Sequence, residues 1–198
     1  PDAAVDFGRA FCPPERLPEF RSRFTGERVV GDVLRDGGVW LLAQLPAGPE
    51  TAGALLTDPD YVQAVGEGTG GQDVEVSVTP SPDGGVVVES RRALPAQVPS
   101  YARALVGDTL RLVETRTFGP AAPDGSRDGS ASVRFEGAPV SITGPMRLEA
   151  GGAGTVLSLE LSVSASVPFV GGKVERFAAE QIERAAAKEE QIAAGRLA

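Results

Sequence analysis

The chain has 198 residues, of which 41% are hydrophobic and 23% are charged, values typical of a globular domain with room for an extension. Its formal net charge of −8 argues against nonspecific electrostatic binding to nucleic acid or to an anionic membrane. The chain contains no histidine and one cysteine, Cys12, so we expect no histidine-based nucleophilic site, no metal centre and no internal disulfide.

No run of about 18 apolar residues occurs, so we predict no integral membrane segment. The absence of disulfides favours a cytoplasmic location. Two glycine-rich segments, at residues 66–71 and 151–154, lack the Lys-Ser/Thr context of a phosphate-binding loop. We interpret both segments as turns and expect no cofactor.

The N-terminal residues 1–38 are the least regular part of the chain, and we interpret them as an extension that adds a strand, a helix or a hairpin. Within them, a turn at Pro13 precedes a short helix through Phe20 and Phe24. Residues 27–45 predict a hairpin. We assign residues 39–198 to a single domain.

Two short helices are predicted after the first strand, one beginning at Pro49 and one opened by Asp58 and Pro59. Further strands are predicted at residues 74–92 (a hairpin), 109–118, 131–136 and 140–148, with a short helix or lid-like loop at residues 94–108. We expect the strand at residues 140–148 to be broken or bulged at Gly144 and Pro145.

The C-terminal part of the chain changes its hydrophobic period. Between Thr155 and Val167 apolar and polar residues alternate, as in a strand with one buried and one exposed face. After Gly172, apolar residues recur at helical spacing. The order predicts an α+β fold whose antiparallel sheet closes on its last helix.

Three segments resemble the helix-grip (SRPBCC) superfamily of START, Bet v 1-like and polyketide cyclase domains, in an uncharacterised bacterial branch. These segments are Pro49-Glu50 followed by ALLTDPDY at residues 54–61, LPAQVPSYARALVGD at residues 94–108, and VPFVGGKVERF at residues 167–177. The resemblance covers residues 39–198 and implies a curved antiparallel sheet of six to seven strands, wrapped around a long C-terminal helix. It transfers no catalytic residue, because no charged constellation of the enzymatic relatives maps onto this chain.

Such a fold implies a cavity between sheet and helix, with apolar walls and a few polar groups that orient a ligand. Leu112, Phe135 and Leu159 on the strands and Phe177 on the helix are candidates for the walls, although each also suits plain core packing.

Glu114 and Arg116 share a strand row with Leu112, so they face the cavity unless the row leaves the core and both side chains are solvated. One of Arg91 and Arg92 must also face inward. Tyr101, in the lid-like segment, offers a hydroxyl to a ligand or packs on the surface. The acidic residues of the last helix, including Glu189, are interpreted as a solvated face.

These observations favour binding of an apolar or amphipathic small molecule, such as a lipid, an isoprenoid or a polyketide-like compound, over catalysis. The first alternative is a cyclase- or hydratase-type enzyme in which Glu114 shuttles a proton, which requires a raised pKa and no contact with Arg116. The second is a protein-interaction module with a filled cavity. A protein partner or a homodimer is compatible with each of these.

Overall fold

The structure, a computed structural model, describes residues 32–33 and 38–197. Cys12 and the helix predicted through Phe20 and Phe24 lie outside the described residues. The described residues form one antiparallel sheet and four helices.

The sheet has seven long strands and one strand of two residues, and every neighbouring pair is antiparallel. The strands are β1 (Asp32–Val33), β2 (Gly38–Leu45), β3 (Gln72–Pro80), β4 (Val86–Pro95), β5 (Thr109–Phe118), β6 (Arg127–Phe135), β7 (Val140–Gly151) and β8 (Gly154–Ala165). Their spatial order is β1-β2-β8-β7-β6-β5-β4-β3, so the last strand lies beside β2.

The helices are α1 (Pro49–Leu56), α2 (Pro59–Gly68), α3 (Ser100–Val106) and α4 (Gly171–Leu197). Proline occupies the first turn of α1 and of α2, where its missing N–H costs no hydrogen bond. The Asp58 carboxylate caps α2 by accepting a hydrogen bond of 2.9 Å from the Tyr61 amide. α4 packs against β2, β8 and α2. None of the described helices is long and apolar enough to cross a membrane.

The alternation along β8 forms the centre of the core. Leu157, Leu161 and Val163 are buried on the face toward α4, while Glu160 and Ser162 between them are exposed. Ala179 and Ala193 of α4 are also fully buried, and their small side chains let the helix approach the sheet.

The predicted break or bulge in β7 is found only on one side: the pairing with β8 skips Gly144 and Pro145 and resumes in the same register. The strand is continuous through Gly144 and Pro145, and its pairing with β6 runs through both residues without a register shift. Gly144 is needed for a different reason: a Cβ atom there would overlap the carbonyl oxygen of Glu160 on β8. The glycine allows close strand approach and does not shift the register.

A curved antiparallel sheet, two short helices after the first long strand and a long C-terminal helix together make the helix-grip fold. The fold class predicted from the sequence is therefore confirmed.

Candidate ligand site

The concave face of the sheet, which is the face toward α4, changes from apolar to charged between β6 and β5. Cross-strand partners share a face of a sheet, so the pairing identifies the neighbours. Leu112 pairs with Phe135, Glu114 with Val133, and Arg116 with Ala131. The β6 side of this surface is thus aliphatic and aromatic, while the β5 side carries a carboxylate and a guanidinium.

β4 adds a second arginine to the charged side. Arg92 faces inward: its Nη2 donates to Glu114 Oε2 at 2.8 Å and its Nη1 donates to Ser90 Oγ at 3.2 Å. Arg91 faces outward and pairs with Glu89. Of the two adjacent arginines, Arg92 is the inward one.

α4 completes the arrangement with Glu189. Arg116 donates Nη1 to Glu189 Oε1 at 2.6 Å and Nη2 to Glu189 Oε2 at 2.7 Å, a two-point contact between sheet and helix. The Arg116 Nε also donates to Glu114 Oε1 at 2.9 Å. Arg92, Glu114, Arg116 and Glu189, hereafter the charged cluster, thus form a chain of ion pairs with side chains 10% to 17% exposed.

Burial alone would raise the pKa of Glu114, but the guanidinium groups of Arg116 and Arg92 outweigh it and hold that pKa at about 2. Burial likewise disfavours the charged form of Arg116, and the Glu189 and Glu114 carboxylates override it, raising the pKa of Arg116. Both groups are therefore ionised at neutral pH, and the formal charges of the two arginines and two glutamates in the charged cluster cancel.

α2 contributes Tyr61, which is 1% exposed. Its hydroxyl lies 3.5 Å from Glu189 Oε1. Burial, followed by the nearby Glu189 carboxylate, raises the pKa of Tyr61 above its usual value, so the phenol stays protonated. A neutral phenol supplies a hydrogen bond without adding a charge.

A cavity of about 20 Å³ lies beside the charged cluster, enough for one water molecule. Its walls are formed by Leu56, Tyr61, Val62, Val65 and Val88, and by the polar side chains of Ser90, Arg92, Glu114, Arg116 and Glu189. The Nε atom of Arg92 is buried and has no hydrogen-bond partner among the described residues.

The other predicted wall residues lie on different elements: Leu112 on β5, Phe135 on β6, Leu159 on β8 and Phe177 on α4. Leu112 is buried, whereas Phe135 and Leu159 are partly buried and pack against the core. Phe177 is partly buried on α4. Tyr101 is 37% exposed, and its hydroxyl donates to the carbonyl oxygen of Lys173 at 3.3 Å. The role of these residues in ligand binding stays a prediction.

The interpretation of Glu189 as part of a solvated helix face is wrong. Its position continues the helical spacing of the apolar residues Ile182 and Ala186, and Ala193 follows it on the same face. A carboxylate at helical spacing within an apolar row signals a buried partner. Tyr61 was missed because a tyrosine in a short amphipathic helix carries no equivalent signal.

The described residues contain no group of three cysteine, aspartate or glutamate side chains arranged to bind a metal ion. The charged cluster itself offers oxygen ligands, but each of its carboxylates is already paired with arginine. What the cluster offers a ligand is hydrogen bonding and charge.

Several solved structures are similar to this chain in fold, at low sequence identity. The protein TTHA0849 from Thermus thermophilus matches at 15% identity and a TM-score of 0.53, covering 81% of this chain and 96% of that one. A STAR-related lipid transfer protein from Xanthomonas axonopodis (fragment 25–204) matches at 13% identity and a TM-score of 0.52, covering 87% and 96%. A Rhodobacter sphaeroides protein matches at 17% identity and a TM-score of 0.51, covering 83% and 95%.

No curated protein matches the sequence. A family model, in contrast, matches residues 41–197, nearly all of the region that the structure describes. The chain belongs to the family described as "Protein of unknown function (DUF2505)".

Proposed function

We propose that this protein binds an apolar or amphipathic small molecule between the concave face of its sheet and α4. One observation carries the proposal: the apolar residues Val133 and Phe135 on the concave face of β6 lie next to the buried charged cluster on β4 and β5. An amphipathic molecule has the same division, with an apolar body and one polar end.

The apolar side has surface left for a ligand. Val133, Phe135 and Leu159 face α4 but are only partly buried, and Ile182 on the helix is partly buried as well. Covering such surface is favourable by roughly 25 cal/mol per Å² of apolar area. The lipid-transfer protein from Xanthomonas axonopodis has the same fold, which is compatible with a ligand of this class.

The cavity beside the charged cluster, at about 20 Å³, is too small for a lipid-sized molecule. Binding next to the charged cluster therefore requires that apolar side chains of the concave face, or α4, move outward. We expect the opening to occur where Glu189 of α4 meets Arg116 of β5, since the helix packs mainly against β2, β8 and α2.

The proposal is tested by native mass spectrometry of the protein purified from its own host, with the released small molecules identified. A bound apolar molecule at a 1:1 ratio supports it. Val133→Lys, which places a charge on the concave face, should abolish that binding, whereas Ser132→Lys, on the opposite face of β6, should retain it. If no lipid, isoprenoid or aromatic polyketide binds the folded wild-type protein, the proposal is wrong.

The enzymatic alternative is weakened by the charged cluster. A proton-shuttling Glu114 requires a pKa near neutrality, but Arg116 and Arg92 hold its pKa at about 2. Glu114 is thus an ionised hydrogen-bond acceptor that orients the two arginines.

A second candidate function, docking to another protein, is favoured by the small cavity and by Phe169. This phenylalanine lies between β8 and α4, and its side chain is fully exposed at 105%. Phe169→Ser should then reduce capture of a specific partner from a host lysate without lowering the melting temperature. A cytoplasmic location remains a prediction for either function.

A further inference from the structure

We propose that the Glu189 side chain occupies the ligand site in the unliganded protein. The carboxylate head of an amphipathic monocarboxylic acid then takes the place of the Glu189 carboxylate on Arg116. The inference rests on the proposed function and adds to it the class of ligand and the way the site opens. It makes the C-terminal end of α4 the part that moves.

The geometry of the Arg116–Glu189 contact is that of a bound carboxylate. Two guanidinium nitrogens meet two carboxylate oxygens at 2.6 and 2.7 Å, a parallel arrangement that fits a planar carboxylate better than a hydroxyl or an amine. Arg116 is held in place from the sheet by Glu114, which accepts from its Nε at 2.9 Å. The two terminal nitrogens of Arg116 that face α4 are therefore held in position for any carboxylate that binds them.

Charge balance selects a single negative charge. The charged cluster has two arginines and two glutamates, and its side chains are at most 17% exposed. If Glu189 leaves, the remaining three groups carry one net positive charge in a poorly hydrated space, which is costly unless another anion enters. A monocarboxylate restores neutrality, whereas a neutral or cationic head does not.

A further hydrogen-bond donor is available to the incoming head. Arg92 Nε lacks a partner among the described residues, and the Arg92 side chain is only 10% exposed and lines the same cavity. Tyr61 adds a protonated hydroxyl that lies 3.5 Å from Glu189 Oε1, the oxygen whose place a ligand oxygen would take. The ligand's tail would then extend along Val133, the cross-strand neighbour of Glu114.

The part of α4 beyond Glu189 is short. Of its last eight residues, Ala193 is fully buried, and Ile192 and Leu197 are partly buried. Releasing Glu189 therefore requires only the last turns of the helix to move, while Val174 and Ala179 keep the first half on the sheet.

The test measures binding of dodecanoic acid, dodecanol and dodecylamine to the full chain by isothermal titration calorimetry at pH 7. Glu189→Gln removes the competing charge and keeps the side-chain volume, so it should bind dodecanoic acid about tenfold more tightly than the wild type, with dodecanol binding unchanged. Glu180→Gln, on the exposed face of the same helix, should bind both ligands as the wild type does.

The outcomes separate this inference from the proposed function. If all three compounds bind with equal affinity and Glu189→Gln changes none of them, the site binds apolar molecules but Glu189 does not compete, and the inference is wrong. If no compound of any class binds, the proposed function fails, and this inference fails with it.

A measurement on the wild-type protein does not depend on the folding of a variant. Dodecanoic acid should increase hydrogen–deuterium exchange in the C-terminal turns of α4 after Glu189, because replacing that side chain releases those turns. Unchanged or decreased exchange there, in the presence of bound dodecanoic acid, would overturn the inference.

Discussion

Glu114 and Arg116 show how one residue's environment decides its chemistry. Both lie on the concave face of β5, where desolvation disfavours each charge and the opposite charge restores it. Their mutual contact holds the acid ionised, so Glu114 acts in the structure as a hydrogen-bond acceptor for Arg116 and Arg92. The same contact makes the stability of the fold depend on pH.

We predict that Glu114 causes a loss of stability at low pH. Its pKa is about 2 in the folded protein and ordinarily 4.5, so its stabilising effect is complete above pH 4.5 and is lost as the pH falls toward 2. The shift corresponds to about 3 kcal/mol. Urea unfolding of the wild type and Glu114→Gln at pH 7 and pH 3 measures the effect: the wild type should lose more free energy of unfolding over this range. Parallel losses would contradict the assignment.

At the scale of elements, the contact between β7 and β8 depends on one glycine. Residues on both sides of Gly144 pair with β8, Thr143 with Ser162 and Met146 with Leu159, so the two strands stay in register across it. The space left by the missing side chain is occupied by the Glu160 carbonyl oxygen. The sequence Gly-Pro suggested a bulge because both residues are disfavoured in strand interiors, and only the neighbouring strand reveals the close approach.

We predict that Gly144→Ala lowers the free energy of unfolding by about 2 to 3 kcal/mol, because β8 must move away to admit the methyl group. Gly195→Ala is the matched control: nothing lies within 4 Å of the added Cβ, and the residue lies in α4. It should raise stability by up to about 1 kcal/mol. Equal effects of the two substitutions in chemical unfolding would show that close strand approach is not the reason for Gly144.

At the scale of the whole molecule, the sequence predicted the architecture better than the site. The alternation of β8 and the helical period of α4 are local patterns, and each survives folding unchanged. The alternation of side chains along β5 placed Glu114 and Arg116 in the row of Leu112, but alternation alone does not say whether that row stays buried. The row is buried at Arg116 because Arg116 contacts Glu189, which lies about 70 residues away in sequence, and no local pattern connects the two residues. The size of the cavity depends on packing between elements, so it could not be predicted from the sequence either.

The Arg116–Glu189 pair joins the sheet to the C-terminal helix, and we predict that the two residues are energetically coupled. Arg116→Met alone and Glu189→Met alone each leave a buried charge with too few partners, so each should lower the free energy of unfolding by about 3 kcal/mol. The double variant should lower it by less than the sum of the two single effects, with a difference of more than about 1 kcal/mol. A double-mutant cycle in chemical unfolding measures this coupling. The same cycle on Arg184 and Glu180, an ion pair at 4.0 Å with side chains 72% and 58% exposed, should give a coupling below about 0.5 kcal/mol. Similar couplings for the two pairs would mean that the buried contact does not connect α4 to the sheet, and that the helix is held by its apolar face alone.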